Sequence, residues 1–555
     1  MKGMKAPAIA ALAASLALLP AATRAAEPCE KLAALALPDT AIDAAQPVAA
    51  GDYAPAGSPA LRDLPAFCRV HGTVAPVPGS RIGFEVWLPQ NGGNSGWNGK
   101  LLMLGNGGYS SALPHLDMAA RLRAGYAALG TDTGHTGDDP DFAVGHPEAI
   151  VDWGHRAVHE SVVKAKAVVA AFYGEPARRA YFSGCSTGGQ QAFMEAQRHP
   201  EDFDGILAGA PGHNRTRLNA GFLWQYLRNH APSDDAAQIV PASKLPAISR
   251  AVLAACRADN GTKAGGLPDD EFLNDPLVCG FDPAAIRCPA EDGPDCLTAP
   301  QVDALRAMYD GARNPRTGER IYFGFPKGSE NAGRVLPHLP GWSLYWADPK
   351  NPARPARANF WRHWASGDPG WDWWGFDFDR GMAAVDDGLA PVINAMDPDL
   401  ERFRRRGGKL LHYHGLADPV VPAPDSILYH ERVVSRRSGG SVDPGQARQE
   451  TAGFYRLFLV PGMEHCHGGP GPDSFDALTA LERWVEEGVA PDRIVATRFA
   501  GEGPERRAAF TRPLCPYPRQ ARYKGAGDPS DAGNFECAAD GRPRNLPAIG
   551  AEYLR

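Results

Sequence analysis

The 555-residue sequence predicts a doubly wound α/β fold with a mostly parallel sheet, into which a second domain is inserted. Two observations predict this fold. Short apolar runs alternate with helical patterns in the first and last parts of the chain, which is typical of sheets built from parallel β-α units. From about 213 to 406 that alternation stops, and the chain becomes rich in proline, glycine and aromatic residues. A chain of this length can form more than one domain.

Residues 1–25 have the pattern of a signal peptide. Two lysines precede an apolar run from about Ala8 to Leu19, which is too short to span a bilayer, and small residues follow it. We predict cleavage after Ala25. Cleavage after Ala26 is the alternative, and it would put Arg24 at a position that small residues normally occupy. No later stretch reaches membrane-span length without charges, so the sequence predicts a secreted or periplasmic protein with no membrane partner.

Residues 26–212 are predicted to form the first part of the α/β domain. Its strand candidates are Arg81–Pro89, Gly99–Gly108, Gly125–His135 and Arg178–Gly184. The last of these strands leads into the letters GCSTG. Helix-forming residues follow and stop at a proline, so this segment is predicted to be strand, tight turn and helix in succession.

Residues 213–406 are predicted to form an inserted lid domain. We expect most of its clustered aromatic side chains to form the lid core, while the others line a pocket. These side chains are Trp361, Trp364, Trp371, Trp373, Trp374 and Phe376. At the end of the domain, the basic run Arg402–Lys409 contains Gly-Gly, which indicates a solvated helix C-terminus. An anion site is the less favoured alternative for that run.

Residues 407–555 are predicted to complete the α/β domain. Gly408–Gly415 and Phe454–Gly462 are candidates for buried strands, and a helical pattern follows the second one at 474–488. After about Gly501 the chain is rich in proline, glycine and arginine. We expect this tail to wrap the surface rather than to form a core of its own.

Charge and cysteine content restrict the class of protein. The net charge of −7 is mildly acidic and no clear basic face is present, so nucleic acid is not an expected partner. The 10 cysteines all follow the predicted cleavage site, which favours disulfides in an exported chain. No CxxC pair is present, which disfavours a cysteine-based zinc or redox site. Pairing cysteines that are neighbours in the sequence suggests the disulfides Cys29–Cys68, Cys256–Cys279, Cys288–Cys296 and Cys515–Cys537. Cys185 and Cys466 are then left over. The order of the cysteines alone does not fix their connectivity.

Three residues at predicted strand ends have the types and the order of a serine hydrolase triad. Ser186 is the centre of a G-x-S-x-G pattern between a strand and a helix, as a nucleophile elbow requires. Asp418 and His465 follow the two later strands, so nucleophile, acid and base occur in the required order. The alternatives are a surface-turn serine and, for Asp418, a turn residue before Pro419. Asp425 is the alternative acid.

His467 competes with His465 for the role of base, and the cysteines favour His465. Cys185 directly precedes Ser186, and Cys466 directly follows His465. If these two cysteines bond, their Cα atoms lie within about 7 Å and the nucleophile and the base are held together. Because such a disulfide would close a very long loop in the unfolded chain, the loss of chain entropy there would stabilise the folded protein by roughly 4–5 kcal/mol.

An oxyanion hole needs backbone N–H donors. We expect one from Thr187, the residue after the nucleophile, and another from the loop Leu104–Ser111, where Gly107 or Gly108 supplies it. The sequence does not choose between the two glycines. A plain glycine turn is the alternative for this loop.

The segments GCSTGGQQ, HGLADPVVP and EHCHGG together resemble the tannase and fungal-type feruloyl esterase family. The resemblance extends to GNGGY, DTGH, CGFDPAAIRCP, CLTAPQV and DPDLERFRRRGGKLLHYHG, and it covers most of the mature chain. It implies an α/β-hydrolase domain, a lid that supplies the acyl-side pocket, a bond between Cys185 and Cys466, and hydrolysis of aromatic carboxylic esters. An aryl monoester hydrolase that acts on terephthalate half-esters is also similar to this family.

Many members of that family carry a lid calcium loop with acidic residues after a cysteine, in a pattern resembling C-D-x-x-D-G-V-x-D-G. Here Arg257, Asn260 and Ala264 stand where the carboxylates would be. Calcium prefers several oxygen ligands with carboxylate charge. The nearest acids, at shifted spacing, are Asp259, Asp269 and Asp270. We therefore predict no metal and no cofactor, with a lid calcium ion as the disfavoured alternative.

These residues predict a secreted serine esterase of the feruloyl esterase or tannase type, which hydrolyses a small aromatic ester through an acyl-enzyme. A carboxylesterase for terephthalate-type aromatic monoesters is the alternative. A catalytically silent binding protein on the same fold is a third hypothesis, which the complete set of Ser186, Asp418 and His465 disfavours. The small aromatic ester is the one partner predicted, and no oligomeric state is predicted.

Overall fold

The computed structural model describes residues 26–90, 96–257, 266–331, 341–438, 443–501, 503–539 and 546–554. The predicted signal peptide and the positions Asp259, Asn260 and Ala264 lie outside the described residues. Among the helices within these ranges, none is long and apolar enough to cross a membrane.

Strands and α-helices alternate from Lys100 to Asn229 and again from Lys409 to Ala500, whereas the described residues before Lys100 and after Ala500 form strands without an α-helix. The strands are β1 (Thr40–Val48), β2 (Gly51–Tyr53), β3 (Leu61–Leu64), β4 (Phe67–Val74), β5 (Ile82–Pro89), β6 (Lys100–Leu104), β7 (Ala127–Thr131), β8 (Arg179–Cys185), β9 (Gly205–Gly209), β10 (His230–Ala231), β11 (Asp234–Gln238), β12 (Lys409–Gly415), β13 (Tyr455–Val460), β14 (Ile494–Ala500), β15 (Arg507–Leu514), β16 (Arg519–Tyr523) and β17 (Phe535–Ala539). The α-helices are α1 (His115–Arg123), α2 (Pro147–Val151), α3 (Ala157–Tyr173), α4 (Thr187–Arg198), α5 (Arg215–Asn229), α6 (Leu245–Cys256), α7 (Ala299–Asp310), α8 (Arg380–Gly388), α9 (Ala390–Ile393), α10 (Glu401–Arg405), α11 (Ala423–Ser438), α12 (Pro444–Ala452) and α13 (Ala477–Glu487).

A nine-stranded sheet runs in the order β1-β4-β5-β7-β6-β8-β9-β12-β13. The pairs from β1 to β7 are antiparallel. The pairs from β7 to β13 are parallel. The predicted class, an α/β fold with a mostly parallel sheet, is confirmed. Because the carboxyl ends of parallel strands lie along one edge, the loops after β6, β8, β12 and β13 are brought to the same side of the sheet.

Helices cover both faces of this sheet. Along β6, Leu101 and Met103 pack into a core that includes α3, whereas Leu102 and Leu104 pack into a second core that includes α1. Successive side chains of a strand point to opposite faces. The run KLLML is therefore apolar almost throughout because both of its faces are buried.

The segment 213–406 leaves the sheet after β9, and the chain rejoins it at β12. Its described part holds α5 to α10 and the β10–β11 hairpin, and that part adds no strand to the central sheet. Trp361 and Trp364 are buried and share a core with Tyr109 and Trp153, which precede the insertion. The other predicted aromatic side chains are half-buried: Trp371, Trp373, Trp374 and Phe376. Aromatic packing thus joins the inserted segment to the α/β domain.

Five disulfides have the pairing expected from the sequence: Cys29–Cys68, Cys185–Cys466, Cys256–Cys279, Cys288–Cys296 and Cys515–Cys537. Four of them join residues that are 8 to 39 positions apart. Cys185–Cys466 instead joins residues 281 positions apart, on the two sides of the inserted segment. The tail after Gly501 pairs its strand β15 with β14, which directly precedes the tail, and forms a second hairpin from β16 and β17.

Candidate active site

Ser186 lies in the turn between β8 and α4 with φ +63° and ψ −116°. This left-handed region is strained for a residue with a side chain, and such strain is typical of a nucleophile elbow. A Cβ atom on Gly184 would lie 2.7 Å from the backbone of Gly188. The G-x-S-x-G pattern is therefore required by the close approach of the chain on either side of the serine.

Asp418 follows β12 and is completely buried. Its Oδ2 atom lies 2.7 Å from Nδ1 of His465, and its Oδ1 atom accepts hydrogen bonds from the amides of Val420 and Val421 at 2.8 and 2.9 Å. Burial alone would raise the pKa of Asp418, but the charge of His465 and the hydrogen bonds from His414 and His465 hold it well below its usual range. An ionised acceptor at Nδ1 requires the proton there, which leaves Nε2 of His465 free to act as a base.

A second imidazole holds the same carboxylate. Nε2 of His414 lies 3.2 Å from Oδ2 of Asp418 and 2.8 Å from the carbonyl of Val421. Both partners are acceptors, so the proton of His414 must be on Nε2. Nδ1 then accepts from the hydroxyl of Ser426, which is 2.6 Å away.

This hydrogen-bond chain continues away from the site. The oxygen of Ser426 lies 3.0 Å from Nε2 of His412, and Nδ1 of His412 lies 3.0 Å from the hydroxyl of Tyr455. Because Ser426 gives its proton to His414, it accepts from His412, and His412 accepts from Tyr455. All four side chains are fully buried. The direction of every bond is therefore fixed, and the chain ends on Asp418.

The disulfide Cys185–Cys466 brings the nucleophile and the base together. Its Cα atoms are 5.9 Å apart, within the range for an ordinary disulfide. Ser186 is adjacent to one cysteine and His465 to the other. Among the described residues no hydrogen bond joins the Ser186 hydroxyl to His465, so the disulfide is the direct link between the two segments.

The two alternative candidates, His467 for the base and Asp425 for the acid, lie away from the contact between His465 and Asp418. His467 is exposed, whereas His465 is half-buried against Asp418. Asp425 is buried elsewhere, where it accepts hydrogen bonds from Asn214 and Tyr322. Burial raises the pKa of Asp425 to about 6, although both hydrogen bonds oppose the shift.

The predicted oxyanion loop contacts the start of α4. The Thr187 hydroxyl donates to the carbonyl of Gly108 at 2.8 Å, and the Asn106 amide donates to the side chain of Gln191 at 3.0 Å. Gly108 has φ +55°, and a Cβ atom on Gly107 would meet open space. Within the described residues, the amides of Gly107, Gly108 and Thr187 have no protein acceptor. The structure thus holds these donors in one place and leaves both glycines as candidates.

The family model for tannase and feruloyl esterase matches residues 68–538. The chain belongs to this family. It is 38% identical to an uncharacterized esterase of Xanthomonas campestris, over 97% of this chain and 96% of that protein. It is 35% identical to a mono(2-hydroxyethyl) terephthalate hydrolase of Piscinibacter sakaiensis, over 88% of this chain and 87% of that protein. The crystal structure of feruloyl esterase B from Aspergillus oryzae matches with a TM-score of 0.80 at 28% identity, covering 92% of this chain and 99% of that one. The protein is a carboxylic ester hydrolase of the aromatic ester type.

Two arginines beside the oxyanion loop of this esterase were missed by sequence reasoning. Arg215 is buried and donates to the hydroxyl of Thr187 at 2.7 Å and to the side chain of Gln190 at 2.9 Å. Arg357 comes from the inserted segment, and its guanidinium would lie 3.2 Å from a Cβ atom on Gly108. Within the described residues neither guanidinium has a carboxylate within 4.0 Å. No periodic pattern marks either arginine in the sequence.

Glu464 is a further residue that sequence reasoning missed, although it directly precedes His465. It is buried, and its Oε1 atom has no hydrogen-bond partner among the described residues. Burial, together with the charge of Asp418, raises the pKa of Glu464 to about 8. Two neighbouring carboxyl groups are therefore kept in opposite states near neutral pH, with Asp418 ionised and Glu464 protonated.

The described residues next to the predicted position of the calcium loop, Arg257 and Asp270, are engaged by other groups of the protein. Arg257 donates to the carbonyl of Asp270 at 3.2 Å. The carboxylate oxygens of Asp270 are both engaged, one by the amide of Leu267 at 2.8 Å and the other by Arg512 at 3.1 Å. A carboxylate paired with a guanidinium is a poor ligand for a calcium ion.

Proposed function

We propose that this protein is an exported serine esterase that hydrolyses esters of phenolic or other aromatic acids, as feruloyl esterases and tannases do, with Ser186, His465 and Asp418 as its catalytic residues. The observation that carries the proposal is the contact of His465 Nδ1 with the buried carboxylate of Asp418, on a loop that a disulfide bonds to the residue before Ser186. The five disulfides support export, because such bonds persist in oxidising compartments.

In the acylation step, Ser186 Oγ attacks the ester carbonyl while His465 Nε2 takes the hydroxyl proton. The negative charge that develops on the carbonyl oxygen is stabilised by the amides of Thr187 and of Gly107 or Gly108. The C–O bond to the alcohol then breaks, and His465 returns its proton to the leaving alcohol. A water molecule hydrolyses the acyl-enzyme by the same steps, which releases the acid and restores Ser186.

Asp418 supports both half-reactions. It accepts the Nδ1 proton of His465, so the imidazole stays in the tautomer that presents a basic Nε2 atom, and it stabilises the imidazolium that forms. The hydrogen bonds from His414, Val420 and Val421 occupy the remaining acceptor positions of this carboxylate. We propose that the reaction uses no metal and no cofactor.

A second candidate substrate class is an aromatic monoester that carries a free carboxylate, as a terephthalate half-ester does. Arg357 favours this class, because it lies beside Gly108 and, within the part of the chain that the structure describes, its side chain has the hydroxyl of Tyr345, at 3.4 Å, as its hydrogen-bond partner. A half-buried guanidinium with no acidic partner binds a carboxylate well. The similarity to a terephthalate monoester hydrolase supports the same class.

A fluorophosphonate probe tests the proposed nucleophile. The wild-type protein should be labelled on Ser186, and Ser186→Ala should lose both labelling and ester hydrolysis while remaining folded. Ser435→Ala, which removes an exposed hydroxyl from α11, is the control and should keep both. Rates with methyl ferulate, methyl gallate and a terephthalate monoester then separate the two substrate classes. Labelling or turnover that persists in Ser186→Ala would refute the mechanism.

A further inference from the structure

A second cluster of chemically active side chains lies at the far end of α4 from Ser186. His159 belongs to α3, His199 directly follows α4, and Asp202 is three positions further on. Each of these residues offers a ligand atom, and the three atoms lie within 4.8 Å of one another. Since α4 has 12 residues, it separates the cluster from Ser186 by about 18 Å.

The geometry of the cluster is that of a partly formed binding site. Nδ1 of His159 lies 2.6 Å from Oδ2 of Asp202. The ring of His199 stacks on that of His159, with centroids 3.8 Å apart and planes 12° apart. Asp202 is buried, whereas both imidazoles are half-buried. Solvent therefore reaches the cluster along one edge.

Buried polar atoms around the cluster lack partners. Glu195 is completely buried, and burial together with the nearby carboxyl group of Asp202 raises the pKa of Glu195, yet neither of its oxygens makes a hydrogen bond of ordinary length to the described residues. Nε2 of His199 and Nδ1 of His155 are also buried and unpartnered. Leaving such atoms without a partner is costly, and a cation bound at Asp202 would weaken the repulsion between its charge and the carboxyl group of Glu195.

We propose that His159, His199 and Asp202 bind one divalent transition metal ion of the zinc class. Imidazole and carboxylate donors suit zinc, cobalt and nickel, whereas calcium and magnesium prefer a shell of oxygen atoms. Zinc holds such ligands at about 2.0–2.2 Å, so ligand atoms in a tetrahedral site lie about 3.4 Å apart. Binding requires small side-chain shifts and a rotation of the His199 ring out of the stack, so that the two nitrogen lone pairs converge.

Cationic side chains already lie near the cluster: Arg198 and Arg402 act on His199, Lys164 acts on His159, and Lys166 lies closest to Asp202. Nζ of Lys166 is 3.9 Å from Oδ1 of Asp202 and donates a hydrogen bond to the backbone carbonyl of that residue. It therefore stands on the side of Oδ1, while Oδ2 faces His159. The bound ion connects α3 to the end of α4, and its expected effect is on stability, because the reacting groups lie at the opposite end of the helix.

A zinc titration of the untagged mature chain, after chelator treatment and dialysis, tests this site. We expect one tight equivalent of Zn²⁺ by calorimetry, a rise in melting temperature with zinc, and an unchanged kcat for ester hydrolysis. Cobalt(II) at the same site should give the visible absorption bands of a low-symmetry complex.

The variants distinguish this cluster from other histidines. His199→Gln should weaken zinc binding at least tenfold, and so should His159→Gln, which serves if the first variant fails to fold. His71→Gln is the matched control and should bind zinc normally, because His71 also pairs with a carboxylate, that of Asp43 at 3.2 Å, outside this cluster. The proposal is overturned if the wild-type chain takes up no zinc, or if either cluster variant binds it as tightly as the wild type.

Discussion

Asp418 and His465, at the carboxyl ends of the strands, differ from Arg357 of the inserted segment 213–406 in how their charged groups are held. Asp418 accepts hydrogen bonds from two backbone amides and two imidazoles, and its neighbour His465 is tied to the nucleophile loop by a disulfide. Arg357, from the inserted segment, reaches the same region with a tyrosine hydroxyl and aromatic faces as its partners. The strand-end loops thus hold Asp418 and His465 with hydrogen bonds and a disulfide, whereas the inserted segment places the Arg357 guanidinium against neutral side chains, where our proposal has it meet a substrate carboxylate.

The strongest test of this contrast is Asp418→Asn. An amide cannot replace the ionised acceptor at Nδ1, so His465 adopts the wrong tautomer, and kcat should fall by roughly 10⁴. Steady-state kinetics with an aromatic methyl ester measure the effect. Asp425→Asn is the matched control, since Asp425 is equally buried and makes no contact with His465, and it should cost far less. A greater loss in Asp425→Asn would mean that the acid has been misassigned.

The double variant Cys185→Ala/Cys466→Ala removes the bond between the two loops and leaves no lone thiol. A small displacement of the base can cost about a hundredfold in rate, so kcat should fall by about that factor while KM changes little. Circular dichroism should show a folded protein under mild conditions, because four other disulfides remain. The Cys288→Ala/Cys296→Ala variant is the control and should keep its kcat. Normal turnover in the first variant would show that the strand-end loops need no such bond.

Ser426→Ala interrupts the hydrogen-bond chain behind Asp418. His414 then loses the hydroxyl that donates to its Nδ1 atom from 2.6 Å away. Its ring orientation and its tautomer are then less firmly fixed, and so is its hydrogen bond to Asp418. We expect kcat to fall about tenfold with KM unchanged, and Ser426→Cys, which keeps a weak donor, to recover part of it. If kcat is unaffected while the protein merely becomes less stable, the chain supports folding and not the position of the acid.

The strand-end loops could be predicted from the sequence better than the inserted segment. The proposed triad could be predicted because the chemistry ties residue type to strand ends, and because the close approach of Gly184 to Gly188 excludes larger residues. Sequence order leaves Cys185 and Cys466 without a neighbour, and the resemblance to the tannase and feruloyl esterase family implies the bond that the structure shows between them. Arg215 and Arg357 could not be predicted as residues of the site. The inserted segment shows no regular alternation of strands and helices from which the position of a side chain could be inferred. Both arginines are instead placed by packing against Tyr109, which is remote in sequence. The boundaries of the inserted domain and of the signal peptide stay predictions.

Arg357→Gln tests the inserted segment. If the guanidinium binds a substrate carboxylate, KM for a terephthalate monoester should rise several-fold, while kcat/KM for the neutral dimethyl ester should stay within about twofold. Arg380→Gln, which removes an exposed arginine of the same segment, is the control and should change neither value. Equal losses with the charged and the neutral ester would indicate that Arg357 supports the oxyanion loop rather than the choice of substrate.

The smallest expected effect, on stability alone, comes from Glu464 in the strand-end loop. Its pKa is raised from 4.5 to about 8 in the folded protein, so between these values the folded chain holds a proton that the unfolded chain has released. The contribution of this group to stability therefore falls as pH rises through this range, by at most about 1.4 kcal/mol per pH unit. Glu464→Gln removes the titration, so its melting temperature should fall less than that of the wild type between pH 5 and pH 8.

Other raised carboxyl groups, such as Asp132 and Asp425, titrate equally in the wild type and in this variant, so the difference between the two melting curves isolates Glu464. Glu319→Gln, at an exposed position of the inserted segment, is the control and should follow the wild-type slope. If Glu464→Gln also follows that slope, Glu464 ionises normally in the folded protein. The strand-end loops would then tolerate two carboxylates side by side, and the pairing of one charged and one neutral carboxyl group beside His465 would have to be abandoned.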